Sequence, residues 1–392
     1  MQILTGTVQD YAWGSTDGIP AVLGTEPTGA PQAEYWLGAH PKAPSRLPDG
    51  TPLDVLLAEH PEQIGEAVTT RFGTRLPFLV KILSARQALS LQAHPSRAQA
   101  IEGYAREDEA GIALDAPDRN YRDDWPKPEA MIALTEFHGL CGFRDPAETQ
   151  KLFRQLGIPA IDDLVQPLAD LDGIARVFLE VLALADFAQD LITEVVTVAR
   201  EHAGEDSDFG RFCTTAVELD ADYPGDAGII AALLLNRIRL EPGDAFFMPA
   251  GNMHAYLRGT GIEIMSNSDN VLRGGLTPKH IDVDELAQVL DFAPGFPGLI
   301  TPTEVSPGVR HYPTEAPEFA VFDVRDAVDQ PLPAESSARI LLVTDGRADL
   351  TDANGETLAV ERGQAAFLAA GESVRVTSSG WAFLSSAGVP TA

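Results

Sequence analysis

The fold is decided at Gly243–His254, GDAFFMPAGNMH, because the chain writes this stretch twice. Gly363–Val374, GQAAFLAAGESV, aligns with it without gaps. Gly243 answers to Gly363, Gly251 to Gly371 and His254 to Val374. Each copy is a short apolar run between two glycines, which reads as a strand held between tight turns. Only the first copy keeps Pro249 and His254; the second has Ala369 and Val374 at those positions. The repeat predicts two related β units, with a metal-type position in the first alone.

Outward from this stretch, residues 1 to about 145 are rich in Pro, Gly and short alternating runs, a β composition. Three segments then carry helical periodicity: PAETQKLFRQLG, DGIARVFLEVLAL and ADFAQDLITEVVTVAREHA. Asp145-Pro146 predicts a helix start, with proline at the first helical position. The β character returns at LLLNRIRL and continues through AFFMPA, HAYL and GIEIMSNS. After about residue 303 the chain is again short strands and turns, such as RILLVTDGRADLT.

The pattern Gly-x5-Pro-x-Gly-x2-His is similar to the second motif of the cupin superfamily, a small jelly-roll barrel. The expected class is therefore mainly β with an α-helical insertion. It consists of two cupin jelly-roll barrels (a bicupin), the second without metal ligands. Expected domains are a barrel from residues 1–145 plus 221–302, a helical insertion at 146–220 and a degenerate C-terminal barrel at 303–392.

Bulk properties narrow the function. Lys+Arg 28 against Asp+Glu 58 gives a net charge of −30. Nucleic acid and anionic membrane surfaces both need a basic footprint, so neither is an expected partner. An anionic substrate needs a locally basic pocket against this background. Two cysteines in unrelated contexts, Cys141 and Cys213, form no disulfide framework and predict a reducing compartment. The N-terminus has neither a basic region nor an apolar run, and no window approaches the roughly 20 apolar residues of a membrane span. A cytoplasmic protein is expected, as a monomer, with a weak homodimer as the alternative.

The chemistry concentrates at Ala88–Ser96, ALSLQAHPS. Leu89, Leu91 and Ala93 fall on one strand face; Ser90, Gln92 and His94 fall on the other. A cupin's first motif offers His-x-His here, and this chain keeps the spacing with an amide in the first place. His254 comes from the second motif. Glu129, in WPKPEAMIAL, opens an apolar run near the barrel. Gln92, His94, Glu129 and His254 make a mixed N/O set that suits Zn²⁺ or another divalent first-row ion. Without thiolates, such a site reads as open and catalytic rather than closed and structural.

Longer stretches carry a more specific resemblance. They are YAWGS at 11–15, AEYWLGAHPKAPS at 33–45, LPFLVKILSARQALSLQAHPS at 76–96, KPEAMIALTEFHGLCGFR at 127–144, YPGDAG at 223–228 and PGDAFFMPAGNMHAYLRGTGIEIMSNSDNVLRGGLTPKHIDV at 242–283. In this order the chain resembles the type I phosphomannose isomerases. The chain departs from the family at Trp125-Pro126, where Asn-His is common, and at Arg258, where a small residue is usual. The C-terminal 90 residues match only in β character.

The resemblance implies a zinc-dependent aldose–ketose isomerase with one Zn²⁺ per chain. It would interconvert mannose 6-phosphate and fructose 6-phosphate through a cis-enediol, with a small phosphosugar as its only partner. It carries the family's zinc ligands onto Gln92, His94, Glu129 and His254. It also implies Ser90, Lys81 and Lys279 on the phosphate. Arg273, before Gly274-Gly275, is the candidate for stabilising developing charge beside the metal. The proton carrier stays open between Glu263, Asp269, Lys127 and a metal-held water. Trp13 and Tyr256 are candidates for lining the sugar pocket. Two rivals are a metal cupin with other chemistry, such as an oxygenase, and a sugar-binding sensor. Gln92 speaks against redox iron, and the cluster of cations speaks for turnover.

Overall fold

A computed structural model describes residues 1–183 and 189–389. Most strands fall in two sheets, one of ten strands and one of nine. The repeat has a direct structural counterpart. Ala245–Met248 followed by His254–Ser266 in the first sheet matches Ala365–Leu368 followed by Val374–Ser386 in the second. The paired glycines share the left-handed backbone region, with φ of 95° and 81° at Gly243 and Gly363 and 78° and 83° at Gly251 and Gly371. A side chain there would strain the turn.

The long strand His254–Ser266 is the spine of the first sheet. Its first half pairs antiparallel with Gln92–Ala93 and Phe137–Phe143. Its second half pairs with Phe78–Ala85 and Glu129–Ala133. The register shifts between Tyr256 and Arg258. Such an irregularity changes which residue parity faces inward, so His254 and Tyr256 share the interior with odd-numbered Glu263.

Phe78–Ala85 is buried along its whole length. Its even positions, Phe78, Val80 and Ile82, join one core with Ile340, Phe367 and Phe383 of the second sheet. Lys81 sits on the other face, opposite Glu263 in the ladder. The two-sided burial explains why this strand reads as a continuous apolar run broken by one lysine.

The helical segments form as expected. Pro146–Arg154 starts at Asp145, whose carboxylate accepts the Ala147 and Glu148 amides at 2.9 and 3.0 Å. That cap contributes about 1 kcal/mol. Gly173–Ala183 and Gln189–His202 follow; residue 184, which ends the second segment, and residues 185–188, which open the third, lie outside the described residues. Helix continues through Asp208–Asp222 and Gly228–Leu233, and the β return begins at Leu235. The helices bury one core that also takes Leu91 and Ala93.

Three features differ from expectation. The first 145 residues contain a 13-residue helix, Arg97–Glu109, capped by a reciprocal Ser96–Gln99 box. Its weak amphipathicity left no periodic apolar face to read. Within ALSLQAHPS only Gln92–Ala93 enters a ladder, because neighbouring backbone groups bond to several separate elements. Finally, Gln2–Leu4 pairs with Ala365–Phe367 in the second sheet.

Candidate active site

Glu129 opens its strand with a carboxylate that is 3% exposed. Oε1 lies 3.3 Å from His94 Nε2, and Oε2 lies 3.3 Å from His254 Nε2. Ligand-type atoms of the three residues all lie within 4.8 Å of one another. The orientation of the rings is informative. His94 Nδ1 donates to the Asn270 carbonyl at 2.8 Å, and His254 Nδ1 donates to the Asn252 carbonyl at 3.1 Å. Carbonyls only accept, so each ring carries a proton on Nδ1 and turns Nε2 toward the Glu129 carboxylate. His94 Nε2 is buried and makes no well-formed hydrogen bond. Burial and the Lys127 charge pull the His94 pKa down to about 4, so the ring stays neutral.

The neutral His94 ring turns an Nε2 lone pair onto a buried carboxylate, an unfavourable contact unless a cation lies between them. The donor set therefore fits a divalent metal, and the backbone carbonyls on Nδ1 are the usual outer partners of metal-bound imidazoles. Gln92 stands opposite His254 in the ladder, and its Nε2 donates to Ser90 Oγ at 3.1 Å, leaving Oε1 as a further donor atom.

Beside this cluster lies a small cavity of about 60 Å³, lined by Glu34, Lys81, Ser90, Gln92, Lys127, Glu129, His254, Tyr256 and Glu263. Lys127 Nζ sits 2.7 Å from Glu129 Oε1. Burial would raise the Glu129 carboxyl, but the Lys127 charge outweighs it and holds it well below the ordinary range. Lys81 Nζ bridges Glu263 at 2.9 Å and Glu34 at 3.3 Å. Burial alone would lower the Lys81 pKa; the Glu263, Glu34 and Glu129 carboxylates reverse the sign and raise it. Glu263 is raised, chiefly by burial, against the opposing Lys81 charge. Tyr256 donates to Glu263 Oε1 at 2.9 Å, and Trp36 Nε1 donates to Glu34 Oε2 at 2.7 Å.

A wider cavity of about 520 Å³ shares Glu34, Leu89, Ser90 and Gln92 with the first. Tyr11, Trp13, Tyr223, Arg273 and Lys279 also line it. Tyr11 and Trp13 stack at 5.9 Å. Burial and the Arg122 charge lower the Arg273 pKa; burial, Arg273 and Arg122 lower that of Lys279. No carboxylate offsets either shift. In a chain of net charge −30 this is a locally basic mouth.

Eleven of the thirteen residues named from sequence line these two cavities, and His94 joins them through Glu129. Asp269 is elsewhere: it pairs with Lys42 at 2.7 Å and His40 at 3.4 Å. Lys81 is committed to two carboxylates, and Arg273 stands in the mouth with Lys279. Sequence reading overlooked Glu34, Arg122, Tyr223 and Asn270. Arg122 is hidden among acids in RNYRDDW, and Asn270 lay in a quoted motif, SDN, without a role.

Comparison with known proteins identifies the family. Residues 1–146 match phosphomannose isomerase type I, catalytic domain. The mannose-6-phosphate isomerase of Escherichia coli (strain K12) is 37% identical, over 95% of this chain and 96% of its own. The chain belongs to the mannose-6-phosphate isomerase family. Mannose-6-phosphate isomerase 1 of Arabidopsis thaliana is 30% identical, over 95% of this chain and 90% of its own. The Salmonella typhimurium enzyme, solved bound to its substrate and a zinc atom, superposes with a TM-score of 0.90 at 33% identity, covering 99% of this chain and 100% of that one. Among the described residues no helix is long and apolar enough to cross a membrane.

Proposed function

We propose that this family member interconverts mannose 6-phosphate and fructose 6-phosphate through a cis-enediol, with one zinc held by Gln92, His94, Glu129 and His254. The observation that carries the reading is the pair of imidazole Nε2 atoms turned onto one buried carboxylate, beside a basic mouth. Zinc there supplies a Lewis acid that stabilises negative charge on the sugar oxygens.

The chain's own residues divide the remaining work. Arg273 and Lys279 in the mouth, with Arg122 behind them, hold the phosphate, and Ser90 adds a hydroxyl at the junction of the cavities. Gripping the phosphate uses remote binding energy to set the reacting carbons. Glu263 moves the proton between C2 and C1. It lines the inner cavity, burial raises its pKa toward the operating range, and Tyr256 and Lys81 fix its two oxygens. Lys127 stands at the same cavity and serves the sugar oxygens. Lys81 acts through Glu263 rather than on the phosphate, and Asp269 through the His40–Lys42 ion pairs rather than on the sugar. Trp13, with Tyr11, walls the sugar.

The finer architecture belongs to the same reading. Both sheets are cupin barrels, and only the first carries ligands. The units are residues 1–145 with 221–302, 146–220 and 303–392, with strand Gln2–Leu4 lent to the last. In this reading the working form is a monomer. Two free buried thiols favour a reducing, cytoplasmic setting.

The test follows fructose 6-phosphate formation from mannose 6-phosphate in a coupled assay, with zinc content measured in parallel. Zinc-loaded protein turns over. Chelated protein and His254→Ala lose both metal and activity, and zinc restores only the former. Zinc-loaded, folded protein without turnover would sink the substrate assignment.

A further inference from the structure

The YPGDAG motif at Tyr223–Gly228 has no part in the reaction as described. It follows Asp208–Asp222, the longest described helix of the insertion. Asp222 and Tyr223 meet a single residue of the site wall, Ala88. Asp222 Oδ2 accepts the Ala88 amide at 2.9 Å, and the Tyr223 hydroxyl donates to the Ala88 carbonyl at 2.7 Å. Ala88 lies outside any strand ladder, so two side chains of the insertion take both of its backbone groups.

The chain beyond Ala88 is tied at each step. Leu89 donates to the Tyr256 carbonyl at 2.8 Å. Leu91 donates to Gly275 at 3.1 Å and accepts from Gly274 at 2.9 Å. Ser90 lies between the tied Leu89 and Leu91, two positions before Gln92, and is the hydroxyl of this stretch that lines both cavities. Tyr223 itself lines the wide mouth. The same motif reaches the opposite wall. Asp226 Oδ1 accepts the Gly228 amide at 2.7 Å and the Leu276 amide at 3.2 Å. A Cβ on Gly228 would collide with the Leu276 nitrogen, so only glycine allows this approach.

We propose that Asp222 and Tyr223 are positioning residues of the active site: by clamping Ala88 they set Ser90 and Gln92, and so the junction where the helical insertion rejoins the first sheet sets substrate affinity. The proposal rests on Ser90 serving the substrate, as read above. A clamp of this kind acts on ground-state placement, so it moves KM more than kcat. A merely structural tie would lower thermal stability and leave KM alone.

The test is steady-state kinetics on full-length, zinc-loaded protein, with melting temperature and zinc content recorded for every variant. Tyr223→Phe keeps the ring and removes one hydroxyl. It is expected to raise KM for mannose 6-phosphate about five-fold, with kcat within about two-fold and zinc retained. Asp222→Ala behaves alike, whereas Asp222→Asn keeps an acceptor for the Ala88 amide and returns KM to within about two-fold of the parent. Ser90→Ala raises KM, and adding Tyr223→Phe to it raises KM little further, because both act through one hydroxyl. An unchanged KM in Tyr223→Phe, or additive effects in the double variant, would overturn the clamp. An unchanged KM in Ser90→Ala identifies failure of the Ser90 reading instead, in a separate arm.

Discussion

Replacing Asn270 by alanine separates what its side chain does from what its backbone does. The side chain is fully buried and ties the segment before Glu129 in place. Its Oδ1 accepts the amides of Arg122 at 2.7 Å and Asp123 at 3.2 Å. Its Nδ2 donates to the carbonyls of Asp123 and Trp125, each at 2.8 Å. At about 1 kcal/mol per net hydrogen bond the full loss is about 4 kcal/mol. Residues 122–124 are only half-buried, so water replaces part of this and the expected cost is roughly 2–4 kcal/mol. The backbone carbonyl that holds His94 Nδ1 remains in the variant. Asn270→Ala should therefore melt earlier by at least about 2 °C. It should also raise KM as Arg122 loosens, yet keep its zinc in chelator competition. Differential scanning fluorimetry, steady-state kinetics and zinc titration read the three effects. A variant that melts within about 1 °C of the parent with unchanged KM would refute the reasoning. So would one that loses zinc before it loses substrate affinity.

Three further outcomes follow from other contacts. Burial would raise the Asp269 carboxyl, but His40 and Lys42 outweigh it and hold it below the ordinary range. A carboxyl depressed in the folded state stabilises above its unfolded pKa and loses that contribution as pH falls. Asp269→Asn should cost about 1 kcal/mol at pH 7. Its urea midpoint should approach the parent's as pH drops below about 4; a constant gap would count against the ion pair. Lys81→Met leaves Glu34 and Glu263 buried without their shared cation, and urea unfolding should show a loss of roughly 3–5 kcal/mol. Adding Glu34→Gln should recover part of that loss; no recovery would dispose of the shared-cation account. Arg339, fully buried in the second sheet, bonds to the carbonyls of Leu332, Pro333 and Glu372. Arg339→Ala should cost about 3 kcal/mol in urea unfolding while KM stays unchanged.

What could be read from sequence depended on range. Gln92 and His94 are two apart, and a strand turns both the same way whatever the rest of the chain does. The Gly243 and Gly363 turns were legible because backbone geometry dictates the residue. Glu263 was harder: the register shift after Tyr256 brings an odd-numbered residue to the interior face of even-numbered His254. No period-two reading carries across such a shift. The Lys81 ion pairs could not be read from sequence because its two acidic partners come from strands distant in the chain. One of them, Glu34, lies 47 residues away. Asn270 and Tyr223 were invisible for the same reason, since their roles consist of long-range bonds to backbone groups that carry no residue signature.

The charge distribution explains how so acidic a chain takes an anionic substrate. Lys81 and Lys127 are balanced at close range by Glu34, Glu263 and Glu129, so the inner cavity has little net positive charge to offer a phosphate. Among the described residues Arg273 and Lys279 have no such partner; Arg273 is half-buried, where its charge is less screened, and Lys279 is exposed beside it. The potential therefore rises toward the mouth and away from the metal cluster. A phosphosugar entering this field meets its strongest attraction at the phosphate end, which leaves C1 and C2 to reach the lysine- and carboxylate-lined interior. In the proposed reading orientation follows from this contrast, set within a chain whose net charge of −30 otherwise disfavours anions.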